Sequence, residues 1–363
     1  VSVAAFCPVA KAGLLDGLLG LPSSGKVAKY EFSLKEDFPV TSIAWSPDGR
    51  YIADSSTQRG SVNVWSVQER RIVQRFTFDT FLPYFHSLAF SPDGRYLAFC
   101  DGSSKLRIYD ASNWEIRQLL GEARQGFCLG RVAFSDDSAL LAVDGNEFTL
   151  LSTSSWGKQK IVDPKWHLGR QLHVFAFLRG SHDLLLGGSA RYEKSDVPES
   201  APTGGGGVFW ILRESDSLPS KRVNVYFPMP ITHYNSNVYS IAVSPDGKLV
   251  ATGAATGDGP KGGVITDAIR FFYANNLNIV GKSLDQAHVG RQGAIEFTPD
   301  SRYLVVVHDG GDSRRVSLID ASDFRLIEFV LAGGQVYDIS VDPTGGRFAA
   351  GAGSEIDVWN IQK

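Results

Sequence analysis

One phrase recurs seven times along this chain, and a chain built from such repeats has few ways to fold. Its clearest copies read Ile43-Ala44-Trp45-Ser46-Pro47-Asp48-Gly49-Arg50-Tyr51-Ile52-Ala53 and Leu88-Ala89-Phe90-Ser91-Pro92-Asp93-Gly94-Arg95-Tyr96-Leu97-Ala98. Degenerate copies run over 132–142, 175–186, 241–251, 295–305 and 339–349. Each places a tight polar turn between two short apolar runs. In the turn, Pro fixes φ, Asp bonds its own backbone and Gly tolerates positive φ.

Pro47, Pro92, Asp136, Arg179, Pro245, Pro299 and Pro343 fall at equivalent points, separated by 45, 44, 43, 66, 54 and 44 residues. A base period of about 44 is the length of a four-stranded antiparallel blade. A third apolar run follows in every copy, at 62–65, 106–109, 148–151, 208–211, 269–272, 316–319 and 356–359. A fourth follows in the first six, for example at 72–76 and 326–330, but the seventh copy reaches the end of the sequence before it. Residues 27–32 begin 16 residues before Ile43, as Ile72 begins 16 before Leu88. They have the spacing of a fourth strand with no blade in front of it, so they are predicted to pair with 356–359 and close a ring. Closure hides two sheet edges that would otherwise invite association.

These phrases, with the third-strand endings Val64-Trp65, Tyr109-Asp110, Ile319-Asp320 and Val358-Trp359-Asn360, resemble the WD-repeat β-propeller family over about residues 25 to 361. Phe90 to Ala98 is equally similar to the propeller repeats of the Tol-system periplasmic protein and of prolyl-oligopeptidase relatives. The expected fold is all-β, a seven-bladed propeller of four antiparallel strands per blade, with residues 25–363 as one domain and 1–24 as an extension packed on it. The chain lacks the family's Gly-His dipeptide, which leaves open the buried Asp-His-Ser/Thr-Trp network that accompanies it.

The resemblance implies one rim of short turns between first and second strands, and an opposite rim carrying the loops between second and third strands. Those loops have 8, 7, 5, 21, 17, 10 and 6 residues, the long ones being 187–207 and 252–268 in blades four and five. Loop variation on a regular scaffold is where binding usually evolves. They are read as a wall or lid beside a central funnel, or as tolerated insertions.

Aligning the approaches to the first strands puts Thr41, His86, Gly130, His173, Tyr239, Gly293 and Tyr337 at one position, with Tyr84, Arg131, Arg170, Arg291, Gln335 and Asp338 close by. Tyr and Arg dominate interaction hot spots because they join large contact area to directed hydrogen bonds. The candidate partner-binding set is Tyr84, His86, Arg131, Arg170, His173, Tyr239, Arg291, Tyr337 and Asp338, and the expected partner is a protein or peptide. The bland alternative has the aromatics covering core ends and the arginines solvated or paired. The competing class is a propeller enzyme, lactonase-like or metal-dependent, using Glu296 and Asp338 at the central channel. Against that, Glu296 is expected to pair with Arg131 or Arg291.

Local chemistry motifs are few. The 7 histidines contain no His-x-x-x-His, so no zinc site is written locally, and no Gly-x-Ser-x-Gly elbow occurs. No cofactor is expected. The stretch from Gly20 to Val27 nearly matches a phosphate-binding loop but has Val27 where Ser or Thr would hold magnesium, and a strand follows it. Net charge is −3, which argues against nucleic acid as partner; Arg70, Arg71 and Arg75 guard an outer strand edge. No run reaches the roughly 20 apolar residues of a membrane span; residues 1–21 are interrupted by Pro8, Lys11 and Asp16, and Phe6 before Cys7 spoils a lipoprotein box. Cys100 and Cys128 are expected on the variable rim as buried free thiols, or as a disulfide if their Cα atoms lie within about 7 Å, which would argue against a reducing cytosol. Compartment and oligomeric state stay open, cytoplasmic or exported.

Overall fold

The computed structural model describes residues 22–56, 60–78, 88–121, 127–128, 130–162, 170–191, 205–217, 219, 221–224, 237–255, 268–280, 294–307 and 313–362. At 161, 170–173, 189–191, 205–208, 221–224, 237, 254–255 and 268 the description covers the backbone alone.

The repeats become seven antiparallel sheets. Blade 1 is Val40–Trp45, Tyr51–Ser56, Ser61–Ser66 and Arg71–Thr77, and blade 2 is Leu88–Phe90, Tyr96–Cys100, Leu106–Asp110 and Ile116–Leu120. Blade 3 is Val132–Phe134, Leu140–Val143, Phe148–Ser152 and Lys158–Val162, and blade 4 is Arg170–Phe177, Leu184–Arg191, Gly205–Leu212 and Lys221–Asn224. Blade 5 has Asn237–Val243, Leu249–Ala255 and Ala268–Tyr273, with Ile279 bridged to Phe272 where a fourth strand would start. Blade 6 is Ile295–Phe297, Tyr303–Val307, Arg315–Asp320 and Arg325–Leu331. In blade 7, Val336–Val341, Arg347–Ala352 and Glu355–Ile361 are completed by the N-terminal strand Ala28–Lys35. The innermost strands touch in cyclic order, from blade 1 round to blade 7 and back to blade 1. The molecule is a seven-bladed β-propeller.

Its interior is seven cores, one at each junction between blades. Second and third strands are apolar on both faces because each sheet is sandwiched between two others. Phe99, Phe148, Phe209, Phe271, Phe348 and Trp359 are all under 2% exposed, each worth about 1.5–3 kcal/mol of transfer free energy.

The turn phrase works as its residues dictate. Ser46 Oγ donates to Asp48 Oδ1 at 2.7 Å and accepts from the Tyr51 N–H at 2.9 Å, while Asp48 takes both the N–H and the Nε–H of Arg50. Gly49 sits at φ +70°, where a Cβ would be strained. The same knot forms at Ser91/Asp93, Ser135/Asp137, Ser244/Asp246 and Thr298/Asp300.

A second device is absent from the repeat phrase. The turn between third and fourth strands ends on a bulky residue in the left-handed region: Arg70, Trp114, Trp156, Leu277 and Phe324, with φ between 54° and 63°. Such residues are strained there, and packing offsets the strain. Trp114 of blade 2 stands edge-on to Tyr51 of blade 1 at 5.5 Å, and Trp156 of blade 3 to Tyr96 of blade 2 at 5.0 Å. Each is a rivet driven into the preceding blade.

Ring closure follows the predicted pairing, with Tyr30 opposite Trp359 and Leu34 opposite Ile356. Blade 6 clasps the closing strand: Glu328 accepts hydrogen bonds from the N–H groups of Lys26 at 2.5 Å, Val27 at 2.9 Å and Ala28 at 2.5 Å. Ser23 completes the clasp, its N–H donating to Leu331 O and its Oγ accepting from Leu331 N, both at 2.7 Å. The phosphate-loop look-alike thus presents consecutive N–H groups to an anion, and the anion is the chain's own carboxylate. Residues 1–21, most of the predicted extension, lie outside the described residues.

Candidate partner-binding rim

The aligned position on the first strands turns out to be a β-bulge. In the longer first strands the ladder skips one residue, and the skipped residues are Thr41, His173, Tyr239 and Tyr337. A bulge re-aims its side chain and leaves its backbone groups outside the ladder. The sequence alignment had therefore selected a repeated structural singularity rather than an arbitrary column.

Tyr239 shows the consequence. Its carbonyl accepts a hydrogen bond at 3.3 Å from Nη2 of Arg131, which starts from blade 3 while Tyr239 belongs to blade 5. The guanidinium thus crosses the throat of the ring past blade 4. Arg131 is half-buried; burial lowers its pKa from the ordinary value, and the charges of Asp338 and Asp144 oppose that shift. Asp144 in turn is pushed up to about 6 by burial, with Arg131 pulling it back.

Glu296 and Asp338 both reach the backbone of the next blade. Glu296, expected to pair with Arg131 or Arg291, accepts the Val341 N–H of blade 7 at 2.8 Å; no ion pair with Arg131 forms among the described residues, and Arg291 lies outside them. Asp338 accepts the Ile43 N–H at 3.0 Å and Ser42 Oγ–H at 2.9 Å from blade 1. The physical reason is the inner edge of the ring. An innermost strand has no partner on its channel side, so its N–H groups take the nearest carboxylate, which the preceding blade supplies. Burial, with Asp338 adding repulsion, raises Glu296 to about 8. Burial raises Asp338 as well, against the pull of its hydrogen bonds and of Arg131.

The remaining candidates divide. Tyr337 is half-buried beside Asp338. Arg170 and His173 lie on the first strand of blade 4, where the backbone alone is described. Tyr84, His86 and Arg291 lie outside the described residues. The long loops need correction: residues 187–191 and 205–207 of the first, and 252–255 of the second, are strand. Blade 4 has three 8-residue strands where blade 3 has a first strand of 3 and a second strand of 4, so part of the expected loop in blade 4 is sheet. Polar and glycine-rich composition hid this, because Gly and Ser in a strand carry no apolar alternation.

Two further features had no clear signal in the sequence. Cys100 and Cys128 form a disulfide with Cα atoms 5.4 Å apart, correcting the expectation of free thiols. The Cys128 N–H donates to Ser104 O at 3.1 Å, which draws the approach to blade 3 against the turn of blade 2. In blade 1, Trp65 Nε1–H donates to the fully buried Asp54 at 2.6 Å, and Asn63 links Asp54 to Glu36, donating to the latter at 2.7 Å. Burial and the neighbouring Glu36 hold the Asp54 carboxyl well above its ordinary range. Asp54 therefore anchors the Trp65 indole, and Asn63 ties that carboxylate to Glu36.

Comparison with known proteins agrees with this geometry. The family described as WD domain, G-beta repeat matches residues 29–66, 82–110 and 228–259, whose described parts lie on the closing strand and on blades 1, 2 and 5. WD40 repeats are thus matched in three stretches of a seven-bladed propeller. No curated protein matches it in sequence. Among solved structures, hydrazine synthase from Kuenenia stuttgartiensis superposes on 90% of this chain and 97% of that chain, with a TM-score of 0.68 and 14% identity. At that identity the likeness concerns the fold alone.

Proposed function

We propose that this WD40-repeat propeller is a non-catalytic scaffold that binds a protein or peptide segment at the long-loop rim. The observation that carries the reading is the Arg131–Tyr239 bond across the throat, made at a bulge position that recurs with Thr41, His173 and Tyr337. It sets a guanidinium beside an aromatic bulge residue, the two side-chain types that dominate interaction hot spots. Tyr84, His86, Arg170, His173, Arg291, Tyr337 and Asp338 complete the proposed surface.

The enzymatic alternative would use Glu296, held near 8, and Asp338. Each commits an oxygen to a backbone N–H of the next blade, which favours a role in ring closure. The Cys100–Cys128 disulfide supports an oxidising compartment.

The test is capture of a partner by the intact chain, followed by affinity measurement with Tyr239→Ala and Tyr337→Ala, each checked for an unchanged melting temperature. A loss of about 2 kcal/mol or more in either supports the reading; losses below about 0.5 kcal/mol in both refute it.

A further inference from the structure

The rivets point to a second surface, on the opposite rim. At the junctions of blades 1–2 and 2–3 a Tyr at the start of the second strand meets a Trp rivet from the next blade. At the junction of blades 5–6 the same two positions hold Leu249 and Phe324. Both are smaller, and both line an open cleft of about 580 Å³, within the range of ligand-binding pockets. Val280 and Ala321 line it with them, and Tyr273 at its wall is 47% exposed, next to Ile279 at 47%. An apolar cleft continuous with exposed apolar side chains is a candidate contact site.

Its mouth has a sign. Arg50 and Arg95 fold back onto the aspartates of their own turns, at 2.5 and 2.6 Å. Arg302 is the equivalent residue in blade 6 and lies at the cleft, and among the described residues it makes no ion pair; it rests over the Tyr303 ring at 4.9 Å. Asp320 feels its charge but gives its oxygen to Ser322. Lys248, also at the mouth, is paired with Asp246 but is 78% exposed. Another junction with an altered rivet, Arg70 with Arg347 at blades 7–1, also leaves a cleft. There Asp342 holds Arg347, and Glu31 and Glu69 line the wall.

We infer that the blade 5–6 cleft docks a partner peptide bearing a large aromatic or aliphatic side chain next to a carboxylate. The side chain fills the space left by Leu249 and Phe324 against Tyr273, and the carboxylate pairs with Arg302. This surface is independent of the long-loop rim.

The experiment selects random twelve-residue peptides displayed on phage against the intact chain, then measures the winners as labelled synthetic peptides. Enrichment of Phe, Trp or Leu adjacent to Asp or Glu is expected. Binding should weaken at least about tenfold with Arg302→Glu and with Tyr273→Ala, both exposed positions. The double variant Leu249→Tyr/Phe324→Trp, which restores the aromatic pair, should block binding equally while raising the melting temperature. The inference is overturned if no such motif is enriched, or if the winners bind all three variants as they bind the intact chain. It is also overturned if Tyr239→Ala or Tyr337→Ala alone abolishes their binding, because the peptides would then sit on the other rim.

Discussion

Removing the Cys100–Cys128 disulfide should lower stability by an amount set by chain entropy. The bond closes a loop with a sequence separation of 28 and joins the end of a blade 2 strand to the approach of blade 3. With the usual logarithmic loop dependence, a loop of this size restricts the unfolded chain by about 3.5 kcal/mol near 25 °C. For a chain of 363 residues, the unfolding entropy at roughly 2.1 cal/mol/K per residue converts this into about 4–5 °C of melting temperature. Cys100 and Cys128 are each 1% exposed, so a double Ala variant also loses packing, and reduction of the wild-type chain is the cleaner perturbation. The assay is thermal unfolding with and without reductant, paired with thiol titration in denaturant. Of the 3 cysteines, only Cys7 should react in the non-reduced protein. Three reactive thiols, or a shift under about 1 °C on full reduction, would refute the argument.

Two other perturbations probe the ring. Glu328→Ala removes the acceptor for three backbone N–H groups and should cost about 2 kcal/mol or more, read as faster amide exchange at residues 26–28 and a lower melting temperature; an unchanged exchange rate there would show that the clasp is not stabilising. His182 of blade 4 bridges Glu214 and, across the junction, Asp137 of blade 3, with 3.0 Å contacts at both ring nitrogens. Glu214 first and then Asp137 raise its pKa above the ordinary 6.5. A raised histidine stabilises fully below the unfolded value and loses that contribution as pH climbs through the higher folded value. Wild type should therefore lose melting temperature from about pH 6.5 upward relative to His182→Gln, and parallel profiles for the two would dismiss the bridge.

How far the candidate rim could be read beforehand depended on the kind of contact. The column Thr41, His173, Tyr239, Tyr337 emerged from alignment because the repeat fixes the register, and a bulge in one copy falls at the same offset in the others. Arg131 was found the same way, but its contact was not: the carbonyl of Tyr239 is 108 residues away. The rule that opposite charges pair predicts an arginine partner for Glu296. The structure gave it a backbone N–H, because an unpaired inner strand edge is a nearer and obligatory donor.

The sequence by itself determined the number of blades, the position of the turn between first and second strands in each and the N-terminal closure, since these rest on local chemistry repeated at a fixed period. Ser-Pro-Asp-Gly makes its knot from its own atoms, and alternating apolar runs must pair with their neighbours. The tertiary structure alone decided everything at the junctions. Trp114 meets Tyr51, Glu328 seizes the N-terminal strand, Cys100 joins Cys128, and Leu249 faces Phe324 across an open cleft. A repeat states what each blade is. The space between two blades depends on a pair of residues from different repeats, and no single copy contains both.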